Sequence, residues 1–307
     1  MNITITGGTG FVGRSVVNEL LRRRHTIRVL ARRPDGARSR FNRPVDAVAG
    51  SIADPAALER AFAGADAVVH LVGIIRETGD QTFDAVHRQG TENVLAAAKK
   101  AGVGRLLHMS AMGSSLDAPS EYGRTKAAGE EAVRRSPLDW TIFRPSIIFG
   151  PGDGFVSLLA GIVRTNPGFV PVIGPGTTRF MPVSIREVAR IFADAFEKPE
   201  ASRNSFELGG PETLTFDEIC RAIAEAVGKP DKPIVHLPLW WGRTLAVLMA
   251  ILPEPPLTLD QLRSLGRDNV GDVSSTAAVF GAPAETLSAG MREYVRPNLR
   301  RDSLVGI

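Results

Sequence analysis

Residues 3–13 read ITITGGTGFVG, an apolar run of Ile and Thr that passes directly into closely spaced glycines. Gly7 permits the tight turn that leaves the strand, and Gly10 lets the backbone approach a pyrophosphate. Gly13 lets the following helix pack against the strand, and that helix presents free N–H groups to phosphates. Because the pattern follows a predicted strand and opens an amphipathic helix, it predicts a dinucleotide site; a purely structural turn is the alternative. We assign to this site Gly7, Thr9, Gly10, Phe11, Val12 and Gly13.

The alternation of strand and helix that begins here continues through the first 150 residues. Apolar, β-branched runs predict strands at Ile3–Thr6, Thr26–Ala31, Asp46–Ala49, Ala67–Val72, Arg105–Ser110 and Trp140–Arg144. Helical patterns lie between most of them, at Phe11–Arg24, Pro55–Ala63, Phe83–Ala101 and Ser120–Ser136, whereas the Arg-rich Arg32–Pro44 predicts an irregular loop. Alternating strands and helices imply a parallel sheet covered on both faces. The prediction is an α/β fold with a doubly wound, Rossmann-type parallel sheet.

Beyond residue 150 the pattern loosens, and Pro and Gly become frequent. A helix at Ile185–Glu197 and a strand at Ser205–Leu208 are predicted to return to the main sheet. We therefore predict a dinucleotide-binding domain from residues 1–150 and about 180–210. The remaining residues, about 151–179 and 211–307, are predicted to form a smaller, interleaved substrate (cap) domain.

The net charge of the 307 residues is +4, from 37 Lys and Arg against 33 Asp and Glu. An excess of basic residues invites a nucleic-acid interpretation. However, residues 1–50 hold ten arginines against Glu19, Asp35 and Asp46, a net charge of +7, so the other residues have a net charge of −3. A local excess of charge calls for a local ligand, and we predict no nucleic-acid partner.

The single cysteine, Cys220, excludes an internal disulfide framework and a cysteine-built metal site. We predict a reducing, cytoplasmic location and no metal. The N-terminal MNITITGGTGFVG lacks the basic start of a signal peptide, and the sequence has no run of about 18 apolar residues. The nearest such run, Leu239–Leu252 (LWWGRTLAVLMAIL), is either a buried or cap helix or one that docks on a membrane surface or a partner.

The end of the second strand bears on the choice of dinucleotide. An Asp or Glu there would accept a hydrogen bond from the adenosine ribose 2′-OH and favour NAD. The sequence instead reads Val29-Leu30-Ala31-Arg32-Arg33, and guanidinium groups suit a 2′-phosphate. We therefore predict NADP over NAD, with Arg32 and Arg33 at the 2′-phosphate. Two solvated loop arginines are the alternative, and nearby Asp35 weakens the argument slightly.

Two later strand ends are also predicted to line the cofactor. Ser51 and Ile52 follow the third strand, where an adenine would rest and Ile52 would supply an apolar contact. Asp54 follows them, and it could equally be only the N-cap of the next helix. The backbone after the fourth strand would run beside the cofactor at Leu71, Val72 and Gly73.

Tyr122 and Lys126 lie four residues apart on one predicted helix and therefore share a face. A phenol with a pKa near 10 exchanges protons poorly at neutral pH, whereas a neighbouring ammonium favours the phenolate and lowers that pKa. A tuned acid/base is what carbonyl reduction or alcohol oxidation requires. We predict that the two residues are a catalytic pair, with Lys126 also at the nicotinamide ribose. An ordinary exposed helix pair is the alternative.

Several motifs occur together along the chain: TGGTGFVG, His-Met-Ser110, Tyr122-x-x-x-Lys126, and the run from Arg144-Pro145-Ser146 through Phe149-Gly150-Pro151-Gly152-Asp153. Over essentially its whole length the chain thereby resembles the short-chain dehydrogenase/reductase superfamily, in its extended or atypical, NAD-dependent epimerase/dehydratase-like branch. Shorter runs are similar to the dehydrogenase-like accessory subunit of respiratory complex I and its bacterial relatives. They are HLVGIIRE, the stretch from Phe83 through His87, HMSAMG, RPSIIFGPGDGF, FMPVSIREVA and FELGGPETLT.

The resemblance implies a Rossmann core with a smaller C-terminal substrate domain over the nicotinamide. It implies Tyr122 as the acid/base, Lys126 as its electrostatic partner, and a strand-five Ser or Thr that hydrogen-bonds the substrate oxygen. Ser110 is the natural candidate for that hydroxyl, and Ser114 and Ser115 in the following loop are the alternatives.

The resemblance also bears on two further groups of residues. It implies that the nicotinamide pocket is lined by Pro145, Ser146 and Ile147. His87 stands where an Asn of a proton relay is expected, and it is either a structural histidine or a substituted polar relay.

Three functions are compatible with these residues. The leading one is an NAD(P)-dependent oxidoreductase that moves a hydride to or from a carbonyl or alcohol substrate. A nucleotide-sugar epimerase or dehydratase with a recycled cofactor uses the same groups. The third is a non-catalytic NADP(H)-binding accessory or assembly protein of a respiratory membrane complex, peripheral to the inner face of the membrane. The cap sequence suits an apolar, isoprenoid-like small molecule at least as well as a nucleotide sugar, and the sequence does not predict the oligomeric state.

Overall fold

The backbone of this computed structural model is described over residues 1–38, 40–249 and 257–295. Its strands are β1 (Asn2–Thr6), β2 (Thr26–Ala31), β3 (Asp46–Ala49), β4 (Ala67–His70), β5 (Arg105–Met109), β6 (Asp139–Pro145), β7 (Ile148–Phe149), β8 (Val170–Ile173), β9 (Arg179–Phe180), β10 (Val183–Ser184), β11 (Asn204–Leu208), β12 (Leu214–Thr215) and β13 (Ile234–Leu237). Its α-helices are α1 (Phe11–Arg22), α2 (Pro34–Arg38), α3 (Pro55–Phe62), α4 (Gly90–Lys100), α5 (Glu121–Arg135), α6 (Phe155–Thr165), α7 (Ile185–Asp194), α8 (Phe216–Ala226), α9 (Leu239–Met249), α10 (Leu259–Leu265), α11 (Ser274–Phe280) and α12 (Leu287–Met291). A π-helical segment, Asp84–Gln89, leads directly into α4, and a 3-10 turn, Pro199–Ala201, precedes β11.

The chain divides into two units, each assembled from separate stretches of sequence. The first comprises Met1–Pro145, Val188–Leu208 and Asp272–Gly281, and the second comprises Ser146–Glu187, Gly209–Gly271 and the residues from Ala282 on. The sequence analysis placed 272–281 in the cap domain, whereas this stretch packs in the first unit. The reason is local: the Thr276 hydroxyl donates to the Glu207 carbonyl oxygen (2.7 Å), and the Phe280 ring packs edge-on against Phe206 with ring centroids 5.1 Å apart.

Among the described residues, the main sheet of the first unit has seven strands in the order β11-β6-β5-β4-β1-β2-β3, all parallel to their neighbours. Strands covered on both faces have near-continuous apolar sequences, as β4 has. The strand order reverses at β1, because β2 and β3 lie on one side of it and β4 to β6 on the other. Open α/β sheets bind ligands outside the carboxyl ends of the strands at such a reversal. The predicted Rossmann-type α/β fold is confirmed.

Helices α3 and α4 bury their apolar faces in the core of the first unit. α3 begins where the Asp54 carboxylate accepts a hydrogen bond from a first-turn N–H (3.1 Å) and Pro55 occupies the first helical position. Asp54 is therefore the helix cap that the sequence left as one option. Leu58 and Phe62 of α3 and Val94 of α4 are fully buried in one cluster, and such side chains each stabilise a fold by about 2 kcal/mol.

Two segments of the first unit differ from the sequence prediction. Arg32–Pro44, predicted as an irregular loop, contains the short helix α2, which Pro34 opens with a backbone already restricted to helical φ. The predicted helix Phe83–Ala101 is α-helical only from Gly90, because its first part is π-helical. The Thr91 hydroxyl donates to the His87 carbonyl oxygen (2.7 Å), and side-chain intrusion of this kind accompanies departures from regular α-helix.

The second unit packs α6, α8 and α12 around its own apolar core, flanked by the strand pairs β7–β10, β8–β13 and β9–β12. Cys220 of α8 is buried in that core, and burial raises the pKa of its thiol to about 12, so it packs as a small apolar side chain. The predicted helix at Leu239–Leu252 is observed as α9, and residues 250–252 lie outside the described ranges. Within those ranges, every helix is too short or too polar to cross a bilayer.

Candidate functional site

The glycine turn between β1 and α1 has the close backbone contacts that its sequence predicts. Gly7 has a φ of +78°, and a Cβ there would lie 2.9 Å from the carbonyl carbon of Leu71. A Cβ on Gly13 would lie 2.1 Å from the carbonyl oxygen of Gly7, so α1 approaches the turn more closely than any side chain allows. Gly10 is the N-cap of α1, and no acidic residue lies in the first turn. The first N–H groups of α1 are therefore suited to an anion, and the turn fits a pyrophosphate.

The end of β4 lies directly against this turn. The Leu71 N–H donates to the Thr6 carbonyl oxygen (3.0 Å), and the Leu71 and Val72 backbone contacts Gly7. At Gly73 a Cβ would lie 3.2 Å from Nζ of Lys126. The structure thus brings the glycine turn, residues 71–73 and Lys126 together at the carboxyl edge of the sheet.

Lys126 is anchored between α5 and the end of β5. Its side chain is 3% exposed, and its ammonium donates to the Met109 carbonyl oxygen (2.9 Å). Burial lowers the pKa of Lys126 to about 8, while the carboxylate of Glu130, one turn further along α5, acts in the opposite direction. Glu130 is itself fully buried and accepts hydrogen bonds from Arg134 (2.6 Å) and Arg144 (2.5 and 2.9 Å). Sequence analysis missed this support, although Arg144 belongs to a motif that it singled out.

Tyr122 lies in the first turn of α5, which the Ser120 hydroxyl caps. Its partly exposed ring packs edge-on against Phe83 and His87, with ring centroids 5.9 and 5.3 Å away. Burial raises the pKa of the Tyr122 phenol to about 12. The sequence predicted the opposite direction, from the neighbouring ammonium. Loss of water around the phenol dominates here, and the Lys126 ammonium is directed at a backbone carbonyl.

Ser110 follows β5 directly and carries a buried hydroxyl. It is 2% exposed, and its N–H donates to the Phe143 carbonyl oxygen (2.7 Å), whereas its Oγ has no hydrogen-bond partner among the described residues. Ser114 Oγ is likewise buried without a described partner, while the Ser115 hydroxyl donates to Asp117. Buried hydroxyls are ordinarily satisfied, so Ser110 and Ser114 are the two with capacity for an oxygen of a bound molecule.

His87 is held by two hydrogen bonds that define its protonation. Its Nε2 accepts from the Ile74 N–H (3.1 Å), which leaves Nδ1–H to donate to the Thr125 hydroxyl (3.0 Å). Burial lowers the pKa of His87 to about 3, with a further contribution from Lys126. The ring therefore stays neutral at physiological pH. It ties the backbone after β4 to α5 beside Tyr122.

Two further histidines, which the sequence analysis did not single out, lie beneath this site. His70 bonds through both ring nitrogens, to Thr6 (2.7 Å) and Thr91 (3.1 Å), and burial lowers its pKa to about 3. His108 is its register partner on β5, with ring centroids 5.2 Å apart. Both ring nitrogens of His108 are buried without a hydrogen-bond partner among the described residues, and burial holds its pKa well below the usual range. The sequence signal that could have identified this pair was a histidine near the end of each of two neighbouring predicted strands.

The remaining predicted cofactor residues lie at several strand ends. Arg32 and Arg33 follow β2, are exposed, and form no ion pair with a described residue. Ile52 is buried in the core against α4, where its Cδ1 would lie 2.3 Å from a Cβ on Gly90, and Ser51 precedes it. Pro145 ends β6 in the first unit. Ser146 and Ile147, the other two residues predicted to line the nicotinamide pocket, belong to the second unit.

The sheet order and the glycine turn together define a Rossmann-type NAD(P)-binding protein. A family model described as NAD(P)H-binding matches residues 7–157. The chain belongs to a family of NAD(P)-binding proteins whose members include reductases and complex I subunits.

Two relatives illustrate the family, and one solved structure shares its fold. NADH dehydrogenase (ubiquinone) 1 alpha subcomplex subunit 9, mitochondrial, of Arabidopsis thaliana is 30% identical over 295 residues, covering 90% of this chain and 72% of that protein. The (4-alkanoyl-5-oxo-2,5-dihydrofuran-3-yl)methyl phosphate reductase of Streptomyces griseus is 32% identical, covering 89% of each chain. The structure of dTDP-glucose 4,6-dehydratase from Streptomyces venezuelae with NAD bound shares the fold, with a TM-score of 0.74, 21% identity and 96% coverage of each chain.

Proposed function

We propose that this protein is an NAD(P)H-linked oxidoreductase that interconverts a carbonyl and an alcohol, with Tyr122 as acid/base. The observation that carries the proposal is the hydrogen bond from Lys126 to the Met109 carbonyl oxygen. It fixes the Tyr122 helix to the strand end that bears Ser110, whose hydroxyl has no partner among the described residues, and a Cβ on Gly73 would meet the same ammonium. The reductase among the relatives supports the same chemistry.

In the proposed mechanism, the chain's own residues manage the proton and the substrate oxygen. The nicotinamide, when bound, supplies or accepts the hydride, and its oxidised form favours the phenolate by its positive charge. Tyr122, whose pKa is raised to about 12, is protonated at neutral pH and donates its proton to the carbonyl oxygen during reduction. The Ser110 hydroxyl donates a hydrogen bond to that oxygen and orients it. Lys126 would hold the nicotinamide ribose.

We also propose that NADP is preferred over NAD, with Arg32 and Arg33 at the 2′-phosphate. On this proposal the pyrophosphate binds at the glycine turn and the adenine lies near Ser51 and Ile52. The nicotinamide end lies beside residues 71–73 and Pro145 of the first unit. We propose a cytoplasmic location and a small, apolar substrate.

The first experiment is a titration of NADPH and NADH fluorescence with the purified protein, followed by assays with aliphatic aldehydes, ketones and quinones. A cofactor-dependent change in fluorescence and oxidation of NADPH by one of these classes are expected. Unchanged fluorescence at millimolar cofactor would remove the basis for any cofactor-dependent function.

Tyr122→Phe separates catalysis from cofactor binding. We expect turnover to fall at least about 100-fold, because the proton donor is lost, while the Kd for NADPH stays within about twofold of the wild type. The matched control is Tyr294→Phe, because Tyr294 is the other tyrosine and its hydroxyl donates to Asp153 in the second unit (2.6 Å). That variant should keep its turnover and melt at a lower temperature. Wild-type turnover by Tyr122→Phe would exclude Tyr122 as the acid/base.

A second candidate function is an accessory or assembly role in a respiratory membrane complex, peripheral to the inner face of the membrane. The 30% sequence identity to complex I subunit 9 favours this role. The test is complementation of cells that lack the gene, with assembled complex measured on native gels. If the role is accessory, Tyr122→Phe should restore as much assembled complex as the wild type does. If the role depends on the oxidoreductase activity, only the wild type should restore the function of the cells.

A further inference from the structure

Helix α9 of the second unit exposes large apolar side chains that its own fold does not cover. Trp240 and Trp241 are 62% and 53% exposed, and Val247 and Leu248 are 58% and 65% exposed. The helix packs through its small residues, because Gly242 and Ala246 are the buried ones. A Cβ on Gly242 would lie 2.5 Å from Ile173, so the contact is close but narrow.

The exposed side chains lie on the face opposite this contact. Consecutive helical residues are rotated by roughly 100°, which places Val247, Trp240, Leu248 and Trp241 within an arc of roughly 120°. Thr244 is in the middle of that arc, and Gly242 and Ala246 are on the far side. The outward face of α9 is therefore apolar except for Thr244, whose hydroxyl donates to the Trp240 carbonyl oxygen of the same helix (3.0 Å).

Helix α9 itself carries one charged residue, the cation Arg243, and the nearest acidic residues along the chain are Asp231 and Glu254. Residues 232–253 contain Lys232 and Arg243 and no Asp or Glu. Arg243 is exposed beside the apolar arc and forms no ion pair with any residue in the described ranges. Tryptophan and a flanking cation are the side chains that favour the boundary between lipid headgroups and acyl chains, and anionic headgroups complement the charge.

As far as it is described, α9 is too short to span a bilayer. Its 11 described residues rise by roughly 16 Å, about half of a bilayer's hydrocarbon thickness of about 30 Å. With its small-residue face packed on the second unit and its tryptophans outward, α9 fits the plane of the interface instead. We propose that α9 is an interfacial helix that docks the second unit on an anionic lipid bilayer, with Trp240, Trp241 and Leu248 inserted and Arg243 at the headgroups. This docking does not depend on the redox chemistry proposed above.

The test is binding of the full-length protein to protein-free vesicles. Phosphatidylcholine vesicles with one third phosphatidylglycerol are compared with pure phosphatidylcholine by co-sedimentation at low and high salt. Wild-type protein should sediment with the anionic vesicles at low salt, and Trp240→Ala/Trp241→Ala should reduce the apparent affinity at least about tenfold. Arg243→Glu should weaken binding to anionic vesicles more than binding to neutral ones. Leu158→Ala, which truncates an exposed leucine on α6 of the same unit, is the matched control and should bind like the wild type.

Tryptophan fluorescence gives a second measurement that does not rely on comparing variants. Trp140, the third tryptophan, is buried in the first unit, so quenching by brominated lipid would report Trp240 and Trp241. Quenching with a blue shift supports docking. Two results would overturn it: no vesicle binding by the wild type, or a wild-type dimer that Trp240→Ala/Trp241→Ala converts to monomer while vesicle binding is unchanged. NADPH fluorescence of the same samples reports the cofactor site separately, so failure of either proposal is distinguishable.

Discussion

At the scale of single residues, burial determines the pKa values of the Tyr122 phenol and the Lys126 ammonium more than the two groups affect each other. Burial raises the pKa of the phenol to about 12 and lowers that of the ammonium to about 8. Both shifts favour the neutral form, as desolvation requires. The protein without cofactor therefore holds Tyr122 as a proton donor, which suits the direction of carbonyl reduction.

Arg32 and Arg33 carry the predicted cofactor preference. Replacing both with Ala should raise the Kd for NADPH about 100-fold or more, because charge-assisted hydrogen bonds to the 2′-phosphate contribute about 1.5–3 kcal/mol each. The Kd for NADH should change by less than about twofold, and fluorescence titration measures both. Arg60→Ala, a change of an exposed arginine in the last turn of α3, controls for net charge. If the affinities for NADPH and NADH fell equally, the two arginines would act only as general surface charge and would not select the 2′-phosphate.

The sequence identified those residues of the site that act over short spacings along the chain. Tyr122 and Lys126 are four residues apart, and the glycines fall within one turn, so each group is visible as a motif. His70 and His108 are different, because only the pairing of β4 with β5 brings them together. The Lys126 bond to Met109 and the buried Glu130–Arg144 pair also depend on packing between elements. No local pattern encodes such contacts.

At the scale of elements, the turn before α1 gives a test of backbone packing. A Cβ on Gly13 would lie 2.1 Å from the Gly7 carbonyl oxygen, so Gly13→Ala must push α1 away from the turn. We expect cofactor binding to be lost and the free energy of unfolding to fall by about 1–3 kcal/mol, the range for overpacked sites. NADPH fluorescence and urea unfolding measure the two effects.

Gly161→Ala is the matched control for this substitution. Gly161 lies within α6, where an added Cβ meets no other atom within 4 Å. Replacing it should stabilise the protein by about 0.5–1 kcal/mol, because alanine has the higher helix propensity. Retained cofactor binding by Gly13→Ala would mean that the turn tolerates a wider spacing than its geometry indicates.

Periodicity predicted the principal helices and strands of the first unit to within a few residues, because their apolar patterns reflect burial in one core. It did not predict the π-helical segment around His87 or the helix α2. Nor did it assign 272–281 to the first unit. These features depend on single side chains, such as the Thr91 hydroxyl and Phe280, that bond or pack far from their own positions in sequence.

At the scale of the whole molecule, the buried histidines should make stability depend on pH. Their pKa values are lowered in the folded protein, to about 3 for His70 and His87, against about 6.5 when unfolded. The unfolded chain therefore binds protons first as the pH falls. The free energy of unfolding is fully retained above about pH 6.5 and declines below it, towards the folded pKa.

His108→Leu tests this pH dependence at one position. Both nitrogens of His108 are unpartnered among the described residues, so the change removes no described hydrogen bond and should alter stability little at about pH 7.5. Between about pH 6 and pH 5 the variant should lose less stability than the wild type, by up to about 1.4 kcal/mol per pH unit. Urea unfolding at each pH measures the difference. Parallel losses in the two proteins would show that His108 does not contribute.

The position of β11 at one edge of the main sheet has a consequence for synthesis on the ribosome. β6 pairs with β5 on one side and with β11 on the other, yet β11 is not translated until Asn204. While the intervening residues emerge, the nascent sheet presents β6 as an open edge, and such edges recruit other strands. Slow translation through residues 146–203 would prolong that exposure. A chaperone that shields unpaired strands would act most usefully during that interval.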